Sequence, residues 1–212
     1  MTSTTEQYET ITGANPTDIG SQALMPVADM SDKVAVFIDF DNMYKGFREA
    51  ISGIPKVFID FREMDRLLAN GRYVACRKAF DGKMPGFELP EAFQVIGKAG
   101  YELITENCER HGQKGVDVRI ALEMDDCSRV SSCNTIMLVS GDADFVPVVR
   151  RAQERGKKVQ VASFRNCLSN KLAEAADEII LLDKYRMLAV RTKPKKDLHD
   201  ACDADTMESD NE

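Results

Sequence analysis

A chain of 212 residues with 28 basic and 35 acidic side chains suits one compact domain with tails rather than two full domains. No apolar run is long enough to span a membrane, and the N-terminal stretch lacks the basic-then-apolar pattern of a signal peptide, so no membrane role is expected. The charge is uneven: residues 1–32 hold five acids and no Lys or Arg, residues 191–212 hold seven acids and four bases, and 33–190 is left at +1. The acidic balance therefore belongs to the tails and does not exclude a nucleic-acid partner.

The six cysteines (76, 108, 127, 133, 167 and 202) show neither a CxxC pair nor a disulfide-like rhythm. Their pattern fits a reducing, cytoplasmic setting. Cys108 and His111 make half a zinc site with no second half.

Residues 1–31, rich in Thr, Ser, Gly and Pro, read as a flexible leader. Lys33–Ile38 (KVAVFI) is apolar on both faces and ends in Asp39, as a central parallel strand would. Residues 42–51 read as helix, with Asp41 as its N-cap. Asp60 caps a second helix over 61–69, and Asn70-Gly71 stops it. A strand over 72–80 ends in an Asp81-Gly82 turn. A helix over 90–99 ends at Gly100, and 101–105 is strand.

A polar loop at 106–113 leads to a helix over 116–127, with Val116, Ile120 and Met124 on one stripe. Thr135–Val139 (TIMLV) is a second central-type strand, ending in Ser140-Gly141-Asp142. A helix over 145–155, a strand at 158–163, a helix at 168–176 and a strand at 178–182 complete the pattern. Residues 191–212 read as a disordered acidic tail, which bounds the domain at 32–190. The alternation predicts an α/β fold, a three-layer α/β/α sandwich with a mostly parallel central sheet.

Ligands of such a sheet bind beyond the carboxyl ends of its strands, where the strand order reverses. Two central strands end there in acid: Asp39 after the first, Asp142 and Asp144 after the second. If the two are neighbours, at least three carboxylates meet at one rim. Their repulsion is relieved by a divalent cation, and hard oxygen ligands favour Mg²⁺ or Mn²⁺ over zinc or copper. Asp144 sits at a helix start, where it can cap amides or reach a metal. Lys114-Gly115-Val116-Asp117 adds a phosphate contact, Lys114, and a metal ligand, Asp117, at a helix N-terminus. Asp117 too can act as a cap there. Glu123, Asp125 and Asp126 farther along that helix read as a solvated face.

The blocks Phe37-Ile38-Asp39-Phe40-Asp41-Asn42-Met43-Tyr44, Lys114-Gly115-Val116-Asp117-Val118 and Leu138-Val139-Ser140-Gly141-Asp142-Ala143-Asp144-Phe145-Val146-Pro147 resemble the three signature blocks of the NYN domain family. This is the LabA-like branch of the PIN-like nuclease superfamily. Gly156-Lys157-Lys158-Val159 and Ser169-x2-Leu172-x2-Ala175-Ala176-Asp177 follow in the family's order, and the resemblance runs over about residues 33–183. It implies a PIN-like fold and a Mg²⁺- or Mn²⁺-dependent ribonuclease site with Asp39, Asp117, Asp142 and Asp144 as acidic ligands. It also implies Asn42 as the polar partner of the first acid and Ser140 on the same rim. Where the family often carries a second acid on the helix after the lysine block, this chain has the longer Glu123.

RNA is the expected partner, with Lys45, Arg48, Arg110, His111, Lys114 and Arg165 as candidate phosphate contacts, and with a solvated helix face as the equal alternative for Lys45 and Arg48. Tyr44 and Phe164 are base-stacking candidates whose ordinary role is packing. Two other readings compete. One is a regulatory or RNA-binding scaffold with a residual metal site. The other is a haloacid-dehalogenase-type phosphatase, with Asp39-Phe40-Asp41 as its strand-end DxD and Asp39 as nucleophile. Against the latter, Asn42 stands where Thr or Val is expected. The RNA target, the mode of cleavage, the number of metals and the oligomeric state, including any homo-oligomer, are not readable from the sequence.

Overall fold

The computed structural model describes residues 9–10, 32–52, 57–83, 90–107, 114–185 and 189–191. In chain order the elements are β1 (Glu9–Thr10), β2 (Lys33–Asp39), α1 (Phe40–Ala50), β3 (Val57–Ile59), α2 (Phe61–Ala69), β4 (Tyr73–Lys83), α3 (Glu91–Lys98) and β5 (Glu102–Asn107). Then follow α4 (Lys114–Arg129), β6 (Thr135–Val139), a 3₁₀ turn (Ala143–Phe145), α5 (Val146–Glu154), β7 (Lys158–Ser163), α6 (Asn170–Ala175), β8 (Glu178–Leu181), a second 3₁₀ turn (Leu182–Lys184) and β9 (Ala189–Arg191).

Six strands form one sheet in the order β5-β4-β2-β6-β7-β8, and every pairing in it is parallel. The sheet has two packed faces because its central strands are apolar on both. Alternate residues of β2 divide between two cores: Val34, Val36 and Ile38 pack with Met43 and Phe47 of α1, Met64 of α2 and Phe93 of α3. Ala35 and Phe37 pack with Ile120 and Met124 of α4, Val149 of α5 and Leu172 of α6. This is the mixed α/β sandwich with a parallel sheet that the alternating pattern predicts. Chain order reverses between β2 and β6: β4 and β5 extend the sheet one way, β7 and β8 the other. The two acid-ending strands are direct neighbours, with Ile38 opposite Val139.

Most boundaries fall within a residue or two of expectation. Asp60 caps α2 by accepting from the Arg62 and Glu63 amides, and Asn70 ends that helix in the left-handed region, φ 46°. Two expectations fail. The 72–80 strand does not turn at Asp81-Gly82; β4 runs on to Lys83, because β5 pairs with Asp81, Gly82 and Lys83 through Thr105, Glu106 and Asn107. Helix α1 starts at Phe40, before Asp41, because Asp39 is its N-cap. Glu9–Thr10 and Val57–Ile59 both pair antiparallel with β9. The rest of both tails, and the 108–113 loop with Arg110 and His111, lie outside the described residues.

Candidate functional site

The rim at the carboxyl ends of β2 and β6 is built around Asp39. The residue is 6 % exposed, Oδ1 accepts from the Asn42 amide at 3.2 Å, and Oδ2 accepts from the Ser140 hydroxyl at 2.8 Å. Ser140, only 1 % exposed, also accepts from the Asp142 amide at 3.3 Å. One hydroxyl thus joins the ends of both central strands. Asn42 makes a second tie, its Oδ1 accepting from the Gly141 amide at 2.9 Å. Asn42 and Ser140 therefore hold the rim in shape.

Asp142 caps the 3₁₀ turn, accepting from the Asp144 amide at 2.9 Å. The cap is Asp142 and not Asp144. The exposed Asp144 carboxylate makes no hydrogen bond or ion pair among the described residues. Asp117 lies half-buried in the first turn of α4. Gly141 owes its identity to a neighbour: a Cβ there would lie 2.0 Å from the Cys167 carbonyl oxygen. The segment 164–168 thus backs the rim. It also braces α1, where the Asn166 side-chain amide donates to the Gly46 carbonyl and to Glu49.

The carboxylates act on one another. Burial pushes the Asp39 carboxyl up to about 7; the bonds from Ser140 and Asn42 pull it down, and the charges of Asp117 and Asp41 raise it further. Asp117 is pushed up to about 6 by burial and then by Asp142, Asp144 and Asp41. Asp41, expected to be a cap, is instead an exposed acid whose charge reaches this group. So the charges of Asp41, Asp142 and Asp144 act on Asp117, and those of Asp117 and Asp41 on Asp39, which adds to the cost of ionising these two groups. No three His, Cys, Asp or Glu side chains among the described residues already stand as a closed metal-binding set. The oxygen-only donors nonetheless fit Mg²⁺ or Mn²⁺, ions held through one or two carboxylates with water and substrate oxygens completing the shell.

One further acid at this end of the sheet is not evident from the sequence. Asp81 is 6 % exposed and lies one residue beyond Phe80, the β4 residue paired with Asp39. Its signal was an acid after a strand, as at Asp39, but the following glycine made it read as a turn. Glu123 leaves the group: it bonds Lys78 at 2.6 Å and Arg119 at 2.8 Å, which lowers its pKa. Asp125 likewise pairs with Arg129, Arg151 and Arg155, so it is a structural hub rather than a merely solvated acid.

Lys45 is exposed on α1, and its charge is felt by the Cys167 thiol, which also feels Asp39. Arg48 is exposed in the last turn of the same helix, about 12 Å along the axis from its start. The Lys114 side chain lies outside the described residues. Tyr44 stacks on Phe40 with ring centroids 5.2 Å apart, and Phe164 is core.

The model of the NYN domain family matches residues 33–183. The chain belongs to the NYN domain family. With that membership it joins the PIN-like nuclease superfamily, as its three motif blocks imply. An uncharacterised protein of Methanocaldococcus jannaschii is 32 % identical over 166 residues, covering 77 % of this chain and 61 % of the relative. The chain thus spans about three fifths of that relative's length. A crystal structure of a Vibrio parahaemolyticus protein of unknown function superposes with a TM-score of 0.59 at 24 % identity, covering 73 % of this chain and 95 % of that one; the likeness is one of fold. Among the described residues no helix is long and apolar enough to cross a membrane.

Proposed function

We propose that this NYN domain is a divalent-cation-dependent ribonuclease that hydrolyses RNA phosphodiester bonds at the rim between β2 and β6. The observation that carries the reading is the convergence of Asp39, Asp142 and Asp144 at the ends of two neighbouring parallel strands, with Asp117 close enough to feel the last two; burial first, and then neighbouring acids, raise Asp39 and Asp117 above ordinary carboxylates. Asp39 and Asp142 would hold the principal Mg²⁺ or Mn²⁺, and Asp117 and Asp144 would complete its surroundings or orient the attacking water. When bound, the ion would supply charge neutralisation at the phosphate and acidify a water.

The chain's own residues do the rest. Ser140 and the Asn42 amide fix the direction of the Asp39 carboxylate. Asn42 keeps the Gly141 turn, and with it Asp142, in register with α1. Lys114 and Lys45 would contact phosphates beside the scissile one, and Arg48 a phosphate farther along the strand. Attack by water on phosphorus, with departure of the 3′ oxygen, leaves 5′-phosphate and 3′-hydroxyl ends.

The test is cleavage of a mixed RNA pool in Mg²⁺ or Mn²⁺, with and without EDTA, by the wild type and by Asp39→Asn and Asp142→Asn. Cleavage abolished by EDTA and by either substitution is expected. Cleavage at the wild-type rate in both variants would sink the mechanism. Tight RNA binding without cleavage would move the protein to the scaffold reading.

A further inference from the structure

Asp81 has a buried carboxylate with half of its hydrogen-bonding capacity unused. Oδ1 accepts from the neighbouring Gly82 amide at 2.8 Å. Oδ2 is buried and, among the described residues, has no hydrogen-bond partner. Neither protonation state resolves this: an ionised Oδ2 needs a donor or a cation, and a protonated one needs an acceptor for its hydrogen. A residue left in that state beside other carboxylates calls for a positive ligand.

Strand alternation says which side of the sheet it serves. Phe80 packs in the core beneath α4 and α5, and Ala79 packs in the core beneath α1, α2 and α3. Asp81 therefore falls on the α1 side. By the same rule Asp39, two residues past Phe37, falls on the α4 side with Asp117. Asp41 lies in the first turn of α1, the helix that follows directly on the end of β2. Because Asp39 supplies the cap, Asp41 is not consumed by the helix, and its charge acts on Asp81 as well as on Asp39 and Asp117.

We propose that Asp41 and Asp81 take a divalent cation of their own, a second position on the α1 side of the rim, separate from the group formed by Asp39, Asp117, Asp142 and Asp144. Two carboxylates suffice for an ion such as Mg²⁺ or Mn²⁺, which keeps several of its waters. The position would answer the unpartnered Oδ2 and relieve the repulsion between the two acids. This inference rests on the rim being cation-dependent, and it is tested by binding rather than turnover.

The full chain is titrated with Mn²⁺ alone and free Mn²⁺ is counted by electron paramagnetic resonance. Asp41→Asn, at an exposed position that leaves folding intact, and Asp81→Asn should each lose one Mn²⁺ equivalent per chain, while Asp142→Asn keeps that equivalent. Wild-type stoichiometry in both Asp41→Asn and Asp81→Asn overturns the proposal, as does a loss confined to Asp142→Asn, which would leave a cation-dependent rim with one position. A lost equivalent in the first two variants, in a protein that cuts no RNA, supports the second position and removes the nuclease reading.

Discussion

Asp39 spends both oxygens inside the protein and still bears the cost of its charge. Its pKa of about 7, against 3.8 for an ordinary aspartate, means that the native state holds this proton more tightly than the unfolded chain does. Stability contributed by this residue is therefore highest below pH 4 and is lost as pH rises toward 7. A shift of about three units corresponds to roughly 4 kcal/mol, an upper figure because the Ser140 and Asn42 bonds would partly reorganise. Asp39→Asn removes the titration and keeps a side chain able to cap α1. Thermal melts without metal should show the variant more stable than wild type at pH 8 and level with it near pH 4. An equal difference at both pH values would show that the carboxylate is not strained by burial.

Gly141 tests a different kind of fit. Its backbone lies against the Cys167 carbonyl, with no room for a methyl group. Gly141→Ala sets backbone against backbone, where no flexible side chain can yield. The expected loss is about 3 kcal/mol, at the upper end of ordinary overpacking, read as a lower urea midpoint. The sequence shows this glycine but not why a side chain is barred there. The close approach comes from residues 26 positions downstream, and spacing along the chain does not reveal that.

Elements whose start and stop signals are local were legible. Helix α2 began at Phe61 because Asp60 bonds two of its free amides, and it stopped at Asn70 in the left-handed region. Asp60→Ala should cost about 1 kcal/mol of unfolding free energy and leave Mn²⁺ binding unchanged. A loss of binding would mean that α2 supports the rim more directly than its contacts suggest. The start of α1 was misread for a physical reason: Asp39 and Asp41 both precede helical residues, and only the strand's end geometry decides which carboxylate turns back to cap. The same competition hid Asp81. Asp-Gly favours a turn locally, but β5 offers three further residues of pairing, and tertiary pairing won. Strands β3 and β9, three residues each, carry too little pattern to find, and their partners lie far away in the chain.

At the scale of the molecule, the reversal of strand order between β2 and β6 gathers acids that the chain separates by up to about a hundred positions. The alternation of apolar strands and helices made that gathering legible, since parallel strands carry their carboxyl ends to one edge. It did not fix which side of the sheet each acid serves. Assembling these carboxylates lowers the stability of the metal-free fold, so a cation that binds the folded rim and not the unfolded chain must raise it. At a hundredfold excess over its dissociation constant, one bound ion adds about 2.7 kcal/mol, or about 5–10 °C in thermal midpoint for a domain of this size. MgCl₂ or MnCl₂ should produce that rise at pH 8, EDTA should abolish it, and NaCl of equal ionic strength should not reproduce it. If NaCl matches MgCl₂, the repulsion is being relieved by general screening rather than by an ion seated among the carboxylates. The rise should also shrink toward pH 5, where Asp39 and Asp117 hold protons that compete with the metal.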